Sequence, residues 1–424
     1  MSKKLLVEKW SDEKRKKLSI AGISDSVIQE NMAQLMENQQ LIAEASQAAD
    51  TTNSLSLLGS IDGTHSDDAW KFKPIALALV RRTFPELFAN KICGVQALNG
   101  PVGLAYAMRV IYASGNSDNL EAAWENVDQY GGYTGNQSQT SAALDSDAYS
   151  GIYDTSATGQ TTSAAETWTI EPAGTWPQLK MKIDQLTITA ATRKLAASFS
   201  LESAQDLKHM HGIDIERELL NFIQYEVVAE LDREILYRCK KAAVDTSNGG
   251  ELITAVNVSG TNIDGRWSQE KFGNIVNAII YQAERIGVKT RIGSGNIAVV
   301  SPAIATALQS LSSTGMFTRA DSNVKQKAGI SQIGSLNGTI QIYRDTYART
   351  DYALVGYKGS GTSDAGVIFS PYITGLTQRA IDPTDFSPRI GTMMRYAITD
   401  NLLGSGRYYR LIPFTQVSNL ILTA

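Results

Sequence analysis

The sequence predicts an α+β chain, and three observations carry that reading. Residues 214–243 keep apolar side chains at three-to-four spacing through about eight turns, which is helical periodicity. Short β-branched runs bounded by glycine, proline or asparagine read as strands. These helices and strands interleave irregularly, without the strict βαβ alternation of a doubly wound sheet.

Composition narrows the function classes. The chain has 424 residues, enough for two or three ordinary domains and a substantial core. Charged residues make up only 19%, below the usual ~25%, so Ser, Thr, Asn, Gln and Gly must cover much of the surface. A formal net charge of −4 argues against general adhesion to nucleic acid. Cys93 and Cys239 lie far apart, so no disulfide framework or zinc spacing follows, and a reducing compartment suits them. No run is apolar enough to span a bilayer; residues 92–108 are broken by Gln96, Asn99, Gly100 and Pro101. The opening MSKKLLVEKW has no long apolar core after its lysines, so no secretory signal is expected.

The elements follow in order. ISDSVIQENMAQLMENQQLIAEA places Ile23, Val27, Ile28, Leu35, Leu41 and Ile42 at loosely helical spacing, which predicts an exposed amphipathic arm. The basic cluster Lys14, Arg15, Lys16 and Lys17 reads as a solvated helix face. From Trp70 to Tyr112 the chain becomes core-like, with a helix, a short strand, a turn at Asn99-Gly100-Pro101 and another strand. Residues 113–166 are then dominated by small polar types, an excursion without strong periodicity. Met181, Ile183, Leu186 and Ile188 mark long extended strands.

The long helix comes next. Its predicted core stripe is Leu220, Ile223, Val227, Leu231 and Ile235, over a length of about 45 Å at 1.5 Å per residue. SQEKFGNIVNAIIYQAERIG is a second amphipathic helix, with Ser268 as N-cap and Gly287 near its end. NIAVVSP reads as a buried strand and AIATALQSL as a short helix after its proline. NGTIQIYRDTY, DYALVGY and AGVIFSPY are three further strands, the last stopped by Pro371.

Residues that could carry chemistry are few. GYKGSGTSDAG nearly matches the phosphate-cradling pattern over residues 356–363, but Thr362 stands where that pattern requires a lysine. A strand follows where a helix N-terminus is needed, so the glycines are read as serving positive φ in a loop between strands. A nucleotide-binding enzyme built on this loop is the alternative of another class. His209 and His211 are two apart, and with His65 they are the chain's three histidines. The i, i+4 pair that shares a metal on a helix is absent, so no metal site is expected. No serine sits in a Gly-x-Ser-x-Gly elbow that opens a helix. Asp382 and Asp385 lie beside Arg379 and Arg389, which would hold both carboxylates ionised in structural ion pairs. No catalytic, cofactor-binding or metal residues are assigned.

Three long stretches, in the same order, resemble the major capsid proteins of T-even-type contractile-tailed bacteriophages. They are LVRRTFPELFANKICGVQALNGPVGLAYAMRVIY, IDQLTITAATRKLAASFSLESAQDLKHMHGIDIERELL and DYALVGYKGSGTSDAGVIFSPYITGLTQRAIDPTDFSPRIGTMMRYAI. The resemblance implies the Hong Kong 97 phage capsid fold, with a spine helix, peripheral and axial domains, an N-terminal arm and an extended loop. Carried onto this chain, it implies a cleaved helical arm over residues 1–44, a linker over 45–72 and the start of the shell domain over 73–112. The extended loop with its polar insertion takes 113–200, the peripheral domain 201–295, the axial domain 296–372, and 373–424 returns to the peripheral domain. The family's larger folded insertion is shorter and compositionally simple here.

The implied function is a shell subunit that assembles with itself into hexameric capsomers around double-stranded DNA, touching it non-specifically. The implied place is the virion, after assembly in the host cytoplasm. Vertex protein, portal, internal scaffold, prohead protease and decoration proteins are the implied partners, and the pentameric vertex protein of the same fold is the runner-up identity. The family's protease cuts after Glu in an Ile/Leu-x-Glu context, and Ile42, Glu44 and Ala45 form the junction that fits it best. Leu6-Val7-Glu8 and Leu35-Met36-Glu37 are the other two such triplets in the arm.

Overall fold

A computed structural model describes residues 23–50 apart from 24, 87–112, 161–167, 179–258 apart from 213, 268–361 apart from 291, 316 and 320–329, and 364–417 apart from 383, 385 and 386, together with Leu6, Val7, Lys9 and Ser11. The first elements are α1 (Ser26–Asp50), α2 (Ala89–Ile92), β1 (Gly94–Val95), β2 (Val102–Tyr112), β3 (Leu179–Thr189) and β4 (Ala191–Ser198). Then come α3 (Leu201–His211), α4 (Ile215–Val244), β5 (Val256–Asn257), α5 (Ser268–Thr290), β6 (Ile297–Val300) and α6 (Pro302–Ser310). The strands β7 (Phe317–Arg319), β8 (Ile330–Leu336), β9 (Ile340–Asp345), β10 (Tyr352–Gly356), β11 (Val367–Ile381), β12 (Pro388–Asp400) and β13 (Tyr409–Thr415) follow. The class is α+β.

The chain divides into two compact units. Residues 104–186 and 287–293 form the smaller one, whose regular structure is mainly the two-stranded ribbon of β2 and β3. The remainder forms the larger unit.

In the larger unit, seven strands run in the order β5-β13-β10-β6-β9-β8-β7. β6 pairs parallel with β9 and β5 parallel with β13, while the other neighbours are antiparallel. Successive residues of β6 face opposite ways, yet all four are buried. Ile297 and Val299 join one hydrophobic core with α4, whereas Ala298 and Val300 join a second core with α5 and α6. On β10, Leu354 faces the first core, and Ala353 and Val355 face the second. A strand covered on both faces needs no polar alternation, so IAVV and YALVG read as continuous apolar runs.

A second sheet of four strands has the order β1-β11-β12-β4. Its long β11–β12 hairpin packs against α4, as do β4 and β13. β11 runs through Pro371 to Ile381, where the sequence predicted a stop. The reason is a register shift between Pro371 and Ile373, since an irregular position spares the proline a ladder donor.

α4 is the spine. Asp214 caps it, its carboxylate accepting from the Glu216 amide at 3.2 Å. Ile223, Val227, Leu231, Ile235 and Cys239 are buried in one stripe, whereas Leu220 is only half-buried. The placement of Leu220 in the core is therefore corrected. No residue before Ile223 on this helix is buried, and its neighbour α3 has none at all. Burial starts only where the helix meets the sheets.

α5 spans Ser268–Thr290, with Gly287 near its end as expected. Other expectations change. The boundary drawn at Tyr372 falls inside β11, and β13, from the segment 373–424, pairs with β10 in the seven-stranded sheet. α1 is not an exposed arm. Met32, Ala33, Leu35 and Met36 are completely buried in the first core. The basic cluster at residues 14–17 lies outside the described residues.

Leu231, 1% exposed on the spine, is the direct test of this packing. Leu231→Ala is expected to cost about 2–5 kcal/mol, through lost burial and the cavity left behind. Chemical denaturation of the purified chain would measure it. A change below about 0.5 kcal/mol, typical of surface sites, would contradict the buried register.

Candidate functional site

The spine is tied to the four-stranded sheet by polar contacts one helical turn apart. Arg193 on β4 donates to Glu230 at 2.8 Å and to Glu234 at 2.5 Å. Tyr396 on β12 donates to the same Glu234 at 2.5 Å, and burial together with that carboxylate pushes its phenol pKa up. One turn further on, Arg238 grips Asp400 through two bonds of 3.1 and 2.7 Å. The three spine positions follow i, i+4 spacing beside the buried stripe. The sequence reading did not single them out; their repeat next to an apolar stripe was the available signal.

Asp232 points elsewhere on the spine. It accepts the Phe88 amide at 2.9 Å, at the N-terminus of α2. Burial pushes its carboxyl up to about 7, against the opposing effect of that hydrogen bond. Lys240 lies 3.6 Å over the ring of Tyr352, which in turn donates to Asp345 at 2.5 Å.

Of the four residues predicted to form ion pairs, Arg379, Asp382 and Arg389 are among the described residues. Arg389 pairs with Asp382, at the turn between β11 and β12. Arg379 pairs with Glu216 in the first turn of the spine. Asp385 lies outside the described residues. Asp382 is held below the usual carboxylate range chiefly by the Thr384 amide at 2.9 Å, with Arg389 a lesser cause.

The near-phosphate loop at 356–363 joins β10 to β11, two strands. Among its described glycines, Gly356, Gly359 and Gly361 do not adopt positive φ, which corrects that expectation. Close approach explains Gly356, because a Cβ there would stand 2.9 Å from the ring of Tyr409. Lys358 donates its amine to the Asn90 carbonyl, and burial lowers its pKa. The Asn296 side chain brackets the Lys358 backbone at 2.7 and 3.0 Å. The loop's one lysine is thus used internally.

His209 and His211 are exposed on α3, and His65 lies outside the described residues. No group of three metal-capable side chains occurs among the described residues. Cys93 and Cys239, distant in sequence, meet in the core with their sulfurs 3.6 Å apart as free thiols. Among the described residues no helix is long and apolar enough to cross a membrane.

What the molecule does present is surface. On β2, alternate residues Val102, Leu104, Tyr106, Met108 and Val110 are exposed, and β3 adds Met181 and Ile183. A strand's alternate side chains share one face, so β2 carries an open apolar stripe. Such stripes mark contact with another macromolecule.

Comparison with known proteins accounts for this inventory. The model of the family described as major capsid protein Gp23 matches residues 69–416. The chain belongs to that family. It is 29% identical to the major capsid protein of Serratia phage KSP90, covering 85% of this chain and 82% of the relative. With the major capsid protein of Escherichia phage AR1 it shares 28% identity, covering 80% and 77%. The capsid vertex protein of Enterobacteria phage T4 is 23% identical over 52% of this chain and 53% of its own length. A solved chain of the bacteriophage PhiM1 mature capsid aligns with 76% of this chain and 84% of its own length, at 12% identity and a TM-score of 0.41. As a member of the Gp23 family the chain is a structural protein of the phage head shell, not an enzyme.

Asp232 yields a pH prediction. Its pKa is raised on folding, so its contribution to stability is complete below about pH 4, near the unfolded value, and declines as pH rises through about 7. Asp232→Asn keeps the acceptor for Phe88 and removes the charge. At pH 8 it is expected to stabilise the chain by on the order of 1–2 kcal/mol, allowing for partial solvent contact, and by little at pH 4. Thermal melts of both proteins across that range would measure the difference. A difference independent of pH would refute the titration.

Proposed function

We propose that this chain is the principal subunit of the head, assembling with copies of itself into hexameric capsomers that enclose double-stranded DNA. The observation that carries the reading is the exposed apolar face of β2, together with Met181 and Ile183, which copies in a shell would cover. Many modest contacts between copies then act together as a high effective concentration. The net charge of −4 suits non-adhesive contact with packaged DNA. Coverage of more than four-fifths of a major capsid relative, against about half of the vertex protein, favours the major over the vertex role.

In this reading the Hong Kong 97 arrangement applies. The spine and the four-stranded sheet make the peripheral domain, the seven-stranded sheet with α6 makes the axial domain, and the β2–β3 ribbon belongs to the extended loop. Vertex, portal, scaffold and decoration proteins are the remaining partners expected of a head.

The arm is removed after Glu44 in the same reading, and accessibility supports that choice. Leu35 and Met36 of one alternative triplet are fully buried, and Leu6 of the other is 5% exposed. Leu41, beside the third, is 56% exposed. A protease cannot seat a buried side chain without first unfolding its surroundings.

Negative-stain microscopy of the expressed chain is expected to show spheres, tubes or sheets. Met108→Lys with Ile183→Lys should leave a cooperatively melting subunit that forms none of them. Normal particles from the double variant would remove the assembly role of this face. Intact mass of the subunit from infectious particles should lack residues 1–44, and a subunit retaining them would sink the cleavage reading. Calorimetry should detect no micromolar nucleotide binding by the chain or by Thr362→Lys, because a strand follows the loop.

A further inference from the structure

Cys93 and Cys239 are the two cysteines of the chain, and nothing in the shell role uses them. They lie 146 positions apart, yet their sulfurs meet at 3.6 Å and neither residue is exposed. Cys93 ends α2 and leads into β1. Cys239 lies towards the end of the spine, in the same buried stripe as Ile235.

The contacts around α2 hold the two sulfurs against each other. At its start, Asp232 of the spine accepts the Phe88 amide at 2.9 Å. At its end, the Ile92 carbonyl accepts from the Tyr409 hydroxyl at 3.0 Å, and that hydroxyl oxygen accepts the Val367 amide at 3.3 Å. Between them, Lys358 donates to the Asn90 carbonyl. α2 is a single turn of four residues, so these anchors fix the residue that follows it. A disulfide brings its sulfurs to about 2.05 Å. Closing the gap from 3.6 Å is within reach of small rotations of both side chains.

The two sulfurs are not equivalent. Lys358 brings its positive charge towards Cys93. Burial, with Cys93 and Asp400 nearby, pushes the Cys239 thiol up. Cys93 is therefore the sulfur that reacts first and Cys239 the one that resolves.

We propose that Cys93 and Cys239 are a latent cross-link, kept as thiols in the reducing interior of the host and closed to a disulfide by hydrogen peroxide once the particle is released. The Cys93 thiolate attacks one peroxide oxygen, the O–O bond breaks, and the departing hydroxide takes up the thiol proton as water. Cys239 then attacks the Cys93 sulfenic acid, the S–O bond breaks, and a second water carries away the Cys239 proton. Two thiols give up two electrons, and one peroxide becomes two waters. A released particle has left the compartment in which glutathione keeps such a pair reduced. Because both sulfurs are buried, the reaction waits on local opening and is slow.

The bond acts through what it encloses. Residues 93–239 include β2, β3, β4, α3 and most of the spine. Closing so long a loop strongly restricts the unfolded chain. It also ties the segment that pairs with β11 to the spine, so that neither separates from the other. The inference needs only the place in the phage head, not the hexameric arrangement or the cleavage after Glu44.

The test exposes the reduced full-length chain to millimolar hydrogen peroxide. Digestion without reductant is expected to give one linked peptide pair joining Cys93 to Cys239. Chemical denaturation of the oxidised chain should show an unfolding constant at least ~30-fold lower than the same sample after dithiothreitol. Cys239→Ala should give no linked pair and no dithiothreitol-dependent shift, and the comparison within the native chain stands without it. Particles purified after lysis and aged in micromolar hydrogen peroxide should keep both sulfurs from iodoacetamide on unfolding, until they are reduced. Subunits unfolded directly from unlysed infected cells should be alkylated at both.

Alkylation of both sulfurs in the aged particles would overturn the proposal. So would sulfinic or sulfonic acid at either position without linkage, disulfides between chains, or a linked pair that leaves the unfolding constant unchanged.

Discussion

Burial of both faces of the seven-stranded sheet is the constraint on which the larger unit depends. Its central strands β6 and β10 have no solvent side, so each face needs a separate cover. The spine with α1 supplies one, and α5 with α6 supplies the other. Each fully buried aliphatic side chain is worth about 1.5–3 kcal/mol, so losing either cover would exceed the marginal net stability of a domain. The first core also reaches the four-stranded sheet through Phe369, Met394 and Tyr396. One helix thereby couples two sheets.

Apolar burial alone does not set the spine's position along the four-stranded sheet. A smooth stripe could slide by a turn at little cost, whereas Arg193, Tyr396 and Asp400 engage Glu230, Glu234 and Arg238 at fixed heights. These pairs are partly exposed, so their stabilisation is modest. Their larger effect is on register, because a one-turn slip would leave charged groups facing the wrong partners. The carboxamides of α1 act similarly on the edge of β1 and the bulge of β11.

A shell subunit works by geometry, and its polar chemistry is used accordingly. The lysine of the glycine loop bonds a backbone carbonyl, and the turn aspartate is satisfied by a backbone amide. The two thiols meet in the core as a hydrogen-bonded pair with no disulfide. Among the described residues, the apolar face of β2 is left open to other molecules.

The sequence by itself determined the elements whose signal is local. The spine was legible to within one residue at each end, because three-to-four spacing and an aspartate cap act within a few turns of chain. β6, β9 and β10 were legible as β-branched runs, and the order of three long stretches was enough to carry the family. Only the tertiary structure decided the place of α1. Its buried face holds Asn31, Asn38 and Gln39, whose partners are carbonyls about 60 or more than 330 residues away, so its pattern looks like that of a solvated arm. It also decided that Arg379 meets Glu216, that β11 continues through Pro371, and that Gly356 answers to a tyrosine ring. Each of these depends on what another part of the chain brings within a few ångströms, and no local periodicity encodes that.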